Sequence, residues 1–94
     1  MSERPIEMTV SPATARDWLA YGTHKIDTRT VESYARTMRA AQWPAPGALG
    51  SIAAPITFHR GRLIDGHHRL AAVAYSGITL RLMVQGLTNG HYPL

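Results

Sequence analysis

Asp65-Gly66-His67-His68-Arg69 places a carboxylate, two imidazoles and a guanidinium in five consecutive residues. The apolar pair Leu63-Ile64 precedes it and the alanine-rich run Leu70–Ser76 follows, as where a strand gives way to a helix. In that setting Asp65 takes the N-cap position, with its carboxylate accepting an amide hydrogen bond from the first turn. The N–H groups of Gly66, His67 and His68 then point out of a positive helix end, which takes anions readily and phosphate above all. Gly66 lets a ligand approach the backbone, Arg69 offers a planar fork, and the histidines supply neutral or cationic donors. Phosphate binding is the chemistry these residue types suit. The plainer alternative is a capped helix carrying exposed histidines. If Arg69 clamps a ligand, its loss is expected to weaken binding and to leave the free domain's stability almost unchanged, because a cation at a positive helix end is locally unfavourable.

Other chemistries fit less well. Of five histidines, His67 and His68 are adjacent and diverge on a helix, and no H-x-x-x-H or H-x-x-E pair exists. His59 lies on a neighbouring strand without an arranged carboxylate, so no metal site is expected. Two-metal hydrolysis requires several convergent carboxylates, and only Asp65 lies in the motif. The chain has no cysteine, which excludes disulfides, thiolate ligands and cysteine nucleophiles and suits a cytoplasmic protein. No apolar run approaches the roughly 18 residues of a membrane span. The charged start MSERPIEMTV lacks a signal-peptide core, so neither membrane insertion nor secretion is expected.

Ten Lys and Arg against six acids give a net charge of +4, and nine of the ten cations are Arg. An acidic partner is favoured, although a GC-rich genome would produce the same Arg bias. Arg36, Arg39, Arg60 and Arg62 are auxiliary cations that could join Arg69 along one side and contact a nucleic-acid backbone without reading its sequence.

The elements that must hold the turn follow from periodicity. Residues 5–10 alternate Ile6, Met8 and Val10 against Glu7 and Thr9 as a half-buried strand. Ser11-Pro12 opens a short helix that turns Ala15, Trp18 and Leu19 inward and stops at Gly22. Asp27 or Thr28 caps the longest helix, about residues 28–42, with Val31, Tyr34, Ala35, Met38 and Ala41 on one face and Glu32, Arg36 and Arg39 opposite. Residues 43–55 hold three prolines and two glycines and read as a long loop. Ile56 and Phe58 mark a strand, Arg60-Gly61 a tight turn, and Arg62-Leu63-Ile64 the returning strand. A helix over 66–76 packs Leu70, Val73 and Ala74 and ends at Gly77. Its inward side is expected to meet Ile56, Phe58 and Leu82, with Tyr34 and Met38 closing the other side. Ile78, Leu80, Leu82 and Val84 alternate along the last strand, and residues 86–94 form a weakly ordered tail. One small α+β domain over 1–94, with a mixed sheet and about three helices, is the expected fold.

The segments YARTMRAAQW and PITFHRGRLIDGHHRLAAVAYSGITLRLMV resemble the ParB/sulfiredoxin superfamily in their order: helix, Pro-Ile strand, hairpin, then a G-x-x-R-x-x-A helix. The likeness covers residues 26–84 and is nearest to phage and actinobacterial members with a DGxHRLAAVxxSG segment. The chromosome-partition ParB branch implies that Gly66, His67, His68 and Arg69 hold nucleotide phosphates, although that branch often has Glu-Arg where this chain has histidines. The helix-turn-helix and dimer domains of that branch have no counterpart in these 94 residues, so neither sequence-specific DNA reading nor clamp formation is expected of them. The sulfiredoxin branch acts through a cysteine in this turn, so sulfinic acid reduction is excluded. The free-serine kinase branch carries a D-G-H-H-R segment that binds ADP phosphates, which Asp65 to Arg69 match letter for letter, and an upstream glutamate base, for which Glu32 is the candidate. The resemblance thus implies a nucleotide ligand, CTP, ATP or ADP, or else a nucleic-acid backbone, and leaves hydrolysis or phosphoryl transfer open. A different class of function is a phage- or plasmid-type interaction module that engages a protein through residues 43–55, with Trp43 and Leu49 as apolar anchors. Alternatively, Trp43 covers the end of the long helix.

Overall fold

The computed structural model describes residues 5–22, 25–45 and 54–86. Seven elements occur in the order β1 (Ile6–Val10), α1 (Pro12–Leu19), α2 (Thr28–Arg39), β2 (Ile56–His59), β3 (Arg62–Asp65), α3 (His67–Ser76) and β4 (Leu80–Gln85). Local chemistry sets the helix starts. The Ser11 hydroxyl accepts from the Thr14 amide at 3.1 Å, with Pro12 at the first helical position. Asp27 Oδ2 accepts from the Thr30 amide at 3.2 Å and from its hydroxyl at 2.6 Å.

The sheet order is β1-β4-β2-β3: β4 pairs antiparallel with β1 and parallel with β2, and β2 pairs antiparallel with β3. The architecture is therefore a small α+β domain with three helices and a four-stranded mixed sheet. Strand alternation turns Val10, Ile56, Phe58, Leu63, Leu82 and Val84 inward, where they meet Trp18, Val31, Met38, Leu70 and Val73 in one core cluster. Trp18 sets its ring edge-on to Phe58 at 5.3 Å. The expected packing of Leu70 and Val73 with Ile56, Phe58 and Leu82 is present, and Tyr34 and Ala74 flank it half-buried.

Several boundaries differ from expectation, among them the end of α1, which stops at Leu19 and turns through Ala20 and Tyr21 to reach Gly22. Helix α2 stops at Arg39 because Ala41 adopts a left-handed φ of 57°, which carries it off the inward face and out to solvent. Strand β4 starts at Leu80, since the Ile78 amide is drawn to Ser76 Oγ at 3.0 Å as the chain leaves α3. Strand β3 extends to Asp65: Thr57 faces Asp65 while Phe58 faces Leu63, so Ile64 is the extra residue of a bulge and is 56% exposed. Helix α3 begins at His67, one residue late. The hairpin turn is as expected, with φ of 51° at Arg60 and 77° at Gly61 matching the type I′ form that suits a two-residue connection. Trp43 is half-buried and packs edge-on to Tyr34 at 5.2 Å, which favours the covering role. Leu49 and residues 87–94 of the expected tail lie outside the described residues.

Candidate functional site

Helices α2 and α3 lie side by side and run parallel. At their starts the Asp27 amide donates to His68 Nε2 at 2.9 Å. At their ends Arg39 Nε and Nη2 donate to the carbonyls of Ser76 and Tyr75 at 3.4 and 3.3 Å, with the guanidinium 5.3 Å from the Tyr75 ring. Two positive helix ends are thus neighbours, and their dipoles add at the DGHHR turn.

The cap of the turn differs from the expectation. Asp65 is the last residue of β3, and Gly66 is the N-cap of α3, its carbonyl accepting from the Leu70 amide at 2.9 Å. Gly66 has no side chain with which to cap the first turn. Gly66 is required by its φ of 104° and by a buried neighbour, since a Cβ there would sit 2.4 Å from Ile56 Cδ1. A structural constraint therefore fixes this glycine, whatever ligand approaches it.

Arg69 is only 6% exposed, against the expectation of an outward clamp. Its Nη1 donates to the Ala54 carbonyl and its Nη2 lies 3.6 Å from Asp65 Oδ1. Burial pulls the guanidinium pKa down from its ordinary value, and the nearby Asp65 carboxylate and Tyr34 oppose that shift. Arginine nevertheless stays cationic. His67 is also interior, at 7% exposure, with its ring against the chain leaving α1: a Cβ on Gly22 would lie 2.5 Å from Nε2. His68 is half-buried. Because its Nε2 accepts a hydrogen bond, its neutral ring carries the proton on Nδ1. Asp65, with 63% side-chain exposure, is the most open member of the set.

The auxiliary cations do not converge on the turn. Arg60 and Arg62 sit at the hairpin tip, the far end of β3 and about 10 Å away at strand rise. Arg39 is held at the opposite end of α3, about 15 Å along its axis. Arg36 is exposed in the last turn of α2. Glu32 is exposed on α2, and among the described residues no hydrogen bond or ion pair joins it to the turn. Four residues had no sequence signal: Asp27 through its amide, Gly22, and the exposed cations Lys25 and Arg29 flanking Asp27. The neighbours of the first two, His68 and His67, lie more than 40 positions along the chain.

Among the described residues no three His, Asp or Glu cluster to hold a metal, and no helix is long and apolar enough to cross a membrane. No protein-family model matches this chain, and no match was found among curated proteins or solved structures.

Proposed function

We propose that this chain is a ParB/sulfiredoxin-like domain whose function is to bind a phosphate-bearing ligand, nucleotide in preference to nucleic acid, where α2 and α3 begin. The observation that carries this reading is the parallel start of the two helices, with Gly66 offering no side chain to cap the first turn of α3. The first-turn amides of α3 would receive the phosphate, and Lys25 and Arg29 would add charge from the neighbouring segment. Arg69 is a positioning residue in this account: it ties Ala54 and Asp65 to the base of the turn and balances the Asp65 charge.

The dispersal of Arg36, Arg39, Arg60 and Arg62 to other ends of the molecule supports a small ligand over a duplex, which requires a continuous track. Binding, rather than turnover, is the function proposed, because the carboxylates that the described residues bring to the turn are both engaged, Asp65 by Arg69 and Asp27 by the amide and hydroxyl of Thr30. Calorimetric titration with CTP, ATP, ADP and short duplex DNA at two salt concentrations tests it. Saturable nucleotide binding with shallow salt dependence is expected. Steep salt dependence with DNA alone transfers the site to nucleic acid, and no binding to any of the four ligands refutes the reading.

A further inference from the structure

The sheet order β1-β4-β2-β3 leaves two edges, and the described residues finish them differently. Strand β3 is blunted: it has four residues, its register breaks at the bulge, and Arg62 and Asp65 put charge at its two ends. Strand β1 has five residues in unbroken antiparallel register with β4, from Ile6 opposite Val84 to Val10 opposite Leu80. It holds no bulge and no proline, and its one charge, Glu7, is paired with Arg81. Among the described residues no strand pairs with its outer side, so alternate backbone N–H and C=O groups there can pair with another strand. Ile6 lies on the core face with Met8 and Val10, yet it is 44% exposed.

We infer that β1 is an interface with a second copy of this chain, whose own β1 pairs antiparallel to it about a two-fold axis through Met8. The strand Ile-Glu-Met-Thr-Val complements itself in that register. Glu7 falls opposite the partner's Thr9 on the solvent face of the sheet, twice by symmetry, so no like charges meet. On the core face Met8 falls opposite its own counterpart and Ile6 opposite the partner's Val10, which gives the exposed Ile6 an apolar neighbour. Both strands turn the same residues to that face, so the helices of the two copies lie on one side of a continuous sheet. A peptide of another protein would gain the same main-chain bonds. The chain's own strand is favoured because it meets Glu7 with a hydroxyl and Ile6 with a β-branched side chain. At about 17 Å of strand the contact is short, so the dimer is transient and concentration-dependent.

Sedimentation velocity over a concentration series reaching the millimolar range, on wild type and on Thr9→Glu, tests the pairing. Thr9 faces Arg81 within its own chain, so the new carboxylate suits the isolated fold, whereas in the dimer it meets the partner's Glu7 in both symmetry-related rows. Wild type should pass from monomer to dimer as concentration rises. Thr9→Glu should weaken the dimer about tenfold, and adding Glu7→Gln should restore it. Ile6→Lys, at an exposed position, should also weaken it. Arg62→Glu, on the opposite edge of the sheet, should leave it unchanged. A wild-type chain that stays monomeric at every concentration overturns the inference. So does a dimer insensitive to both Thr9→Glu and Ile6→Lys, or one lost with Arg62→Glu, which moves the contact to β3.

Discussion

Replacing Arg69 by alanine separates a structural arginine from a ligand clamp, and the structure commits to the former. The side chain is buried at the base of α3, donating to the Ala54 carbonyl and facing Asp65 at 3.6 Å. Losing a charge-assisted hydrogen bond and leaving its carbonyl unmet costs about 1.5–3 kcal/mol. Truncation beyond Cβ also removes two buried methylenes, about 0.8 kcal/mol each. The Asp65 pair adds little, about 0.5 kcal/mol, because that carboxylate is mostly in water. Against these, removing a cation from a positive helix end returns about 0.3–1 kcal/mol.

The net is a loss of roughly 2.5–5 kcal/mol, by addition of those contributions. At about 0.05–0.15 kcal/mol per residue the whole domain holds roughly 5–14 kcal/mol, so Arg69→Ala should remove a large share of its stability. Urea denaturation of the ligand-free protein, with the slope checked for constancy, measures the change directly. Arg69→Met keeps the apolar stem and should recover about 1.5 kcal/mol of the loss. A change below about 1 kcal/mol for Arg69→Ala refutes the interior placement and restores the outward clamp.

Gly66→Ala should destabilise by about 1–3 kcal/mol, from the left-handed φ alone, and by more where Ile56 cannot yield, as thermal unfolding will show. Leu70→Ala, at a fully buried position, should cost roughly 2–5 kcal/mol in the same assay, and a loss under 0.5 kcal/mol would put the phase of α3 in error. The side-chain and backbone hydrogen bonds from Thr30 hold the Asp27 carboxyl below its ordinary value. Its contribution to stability is therefore present above about pH 4, the unfolded value, and is lost as pH falls through the lower folded value. Asp27→Ala should flatten the acid limb of the stability curve relative to wild type.

Elements set by local rules were legible before any coordinates. Ser11-Pro12 and Asp27 cap where caps belong, and Ile56, Phe58, Leu82 and Val84 alternate as buried strand positions do. Each boundary that shifted did so through a partner or a conformation that the pattern does not encode. Ala41 fits the helical stripe, yet it takes the left-handed conformation that ends α2, and nothing in its side chain announces that. Ile64 reads as half of an apolar pair, but the pairing of β2 with β3 inserts it as a bulge residue and turns it to water. Periodicity is blind to a one-residue insertion because it assumes an uninterrupted pleat.

The site shows the same division more sharply. Its position was legible, since an apolar pair, a glycine and an alanine-rich run mark a strand-to-helix turn, but the direction of its side chains was not. Polar residues at such a turn are ordinarily exposed, which is why His67, His68 and Arg69 read as ligand groups. Three chain segments converge here: the exit of α1, the entry of α2 and the entry of β2, and each brings backbone groups that need partners once water is excluded. His68 takes the Asp27 amide from 41 residues away, Arg69 takes the Ala54 carbonyl from 15 away, and the His67 ring packs under Gly22. The cationic turn thus serves first as the joint of the fold. Because those side chains are spent on neighbouring segments and none of them caps α3, any anion binding at this turn falls to the backbone amides of the helix itself.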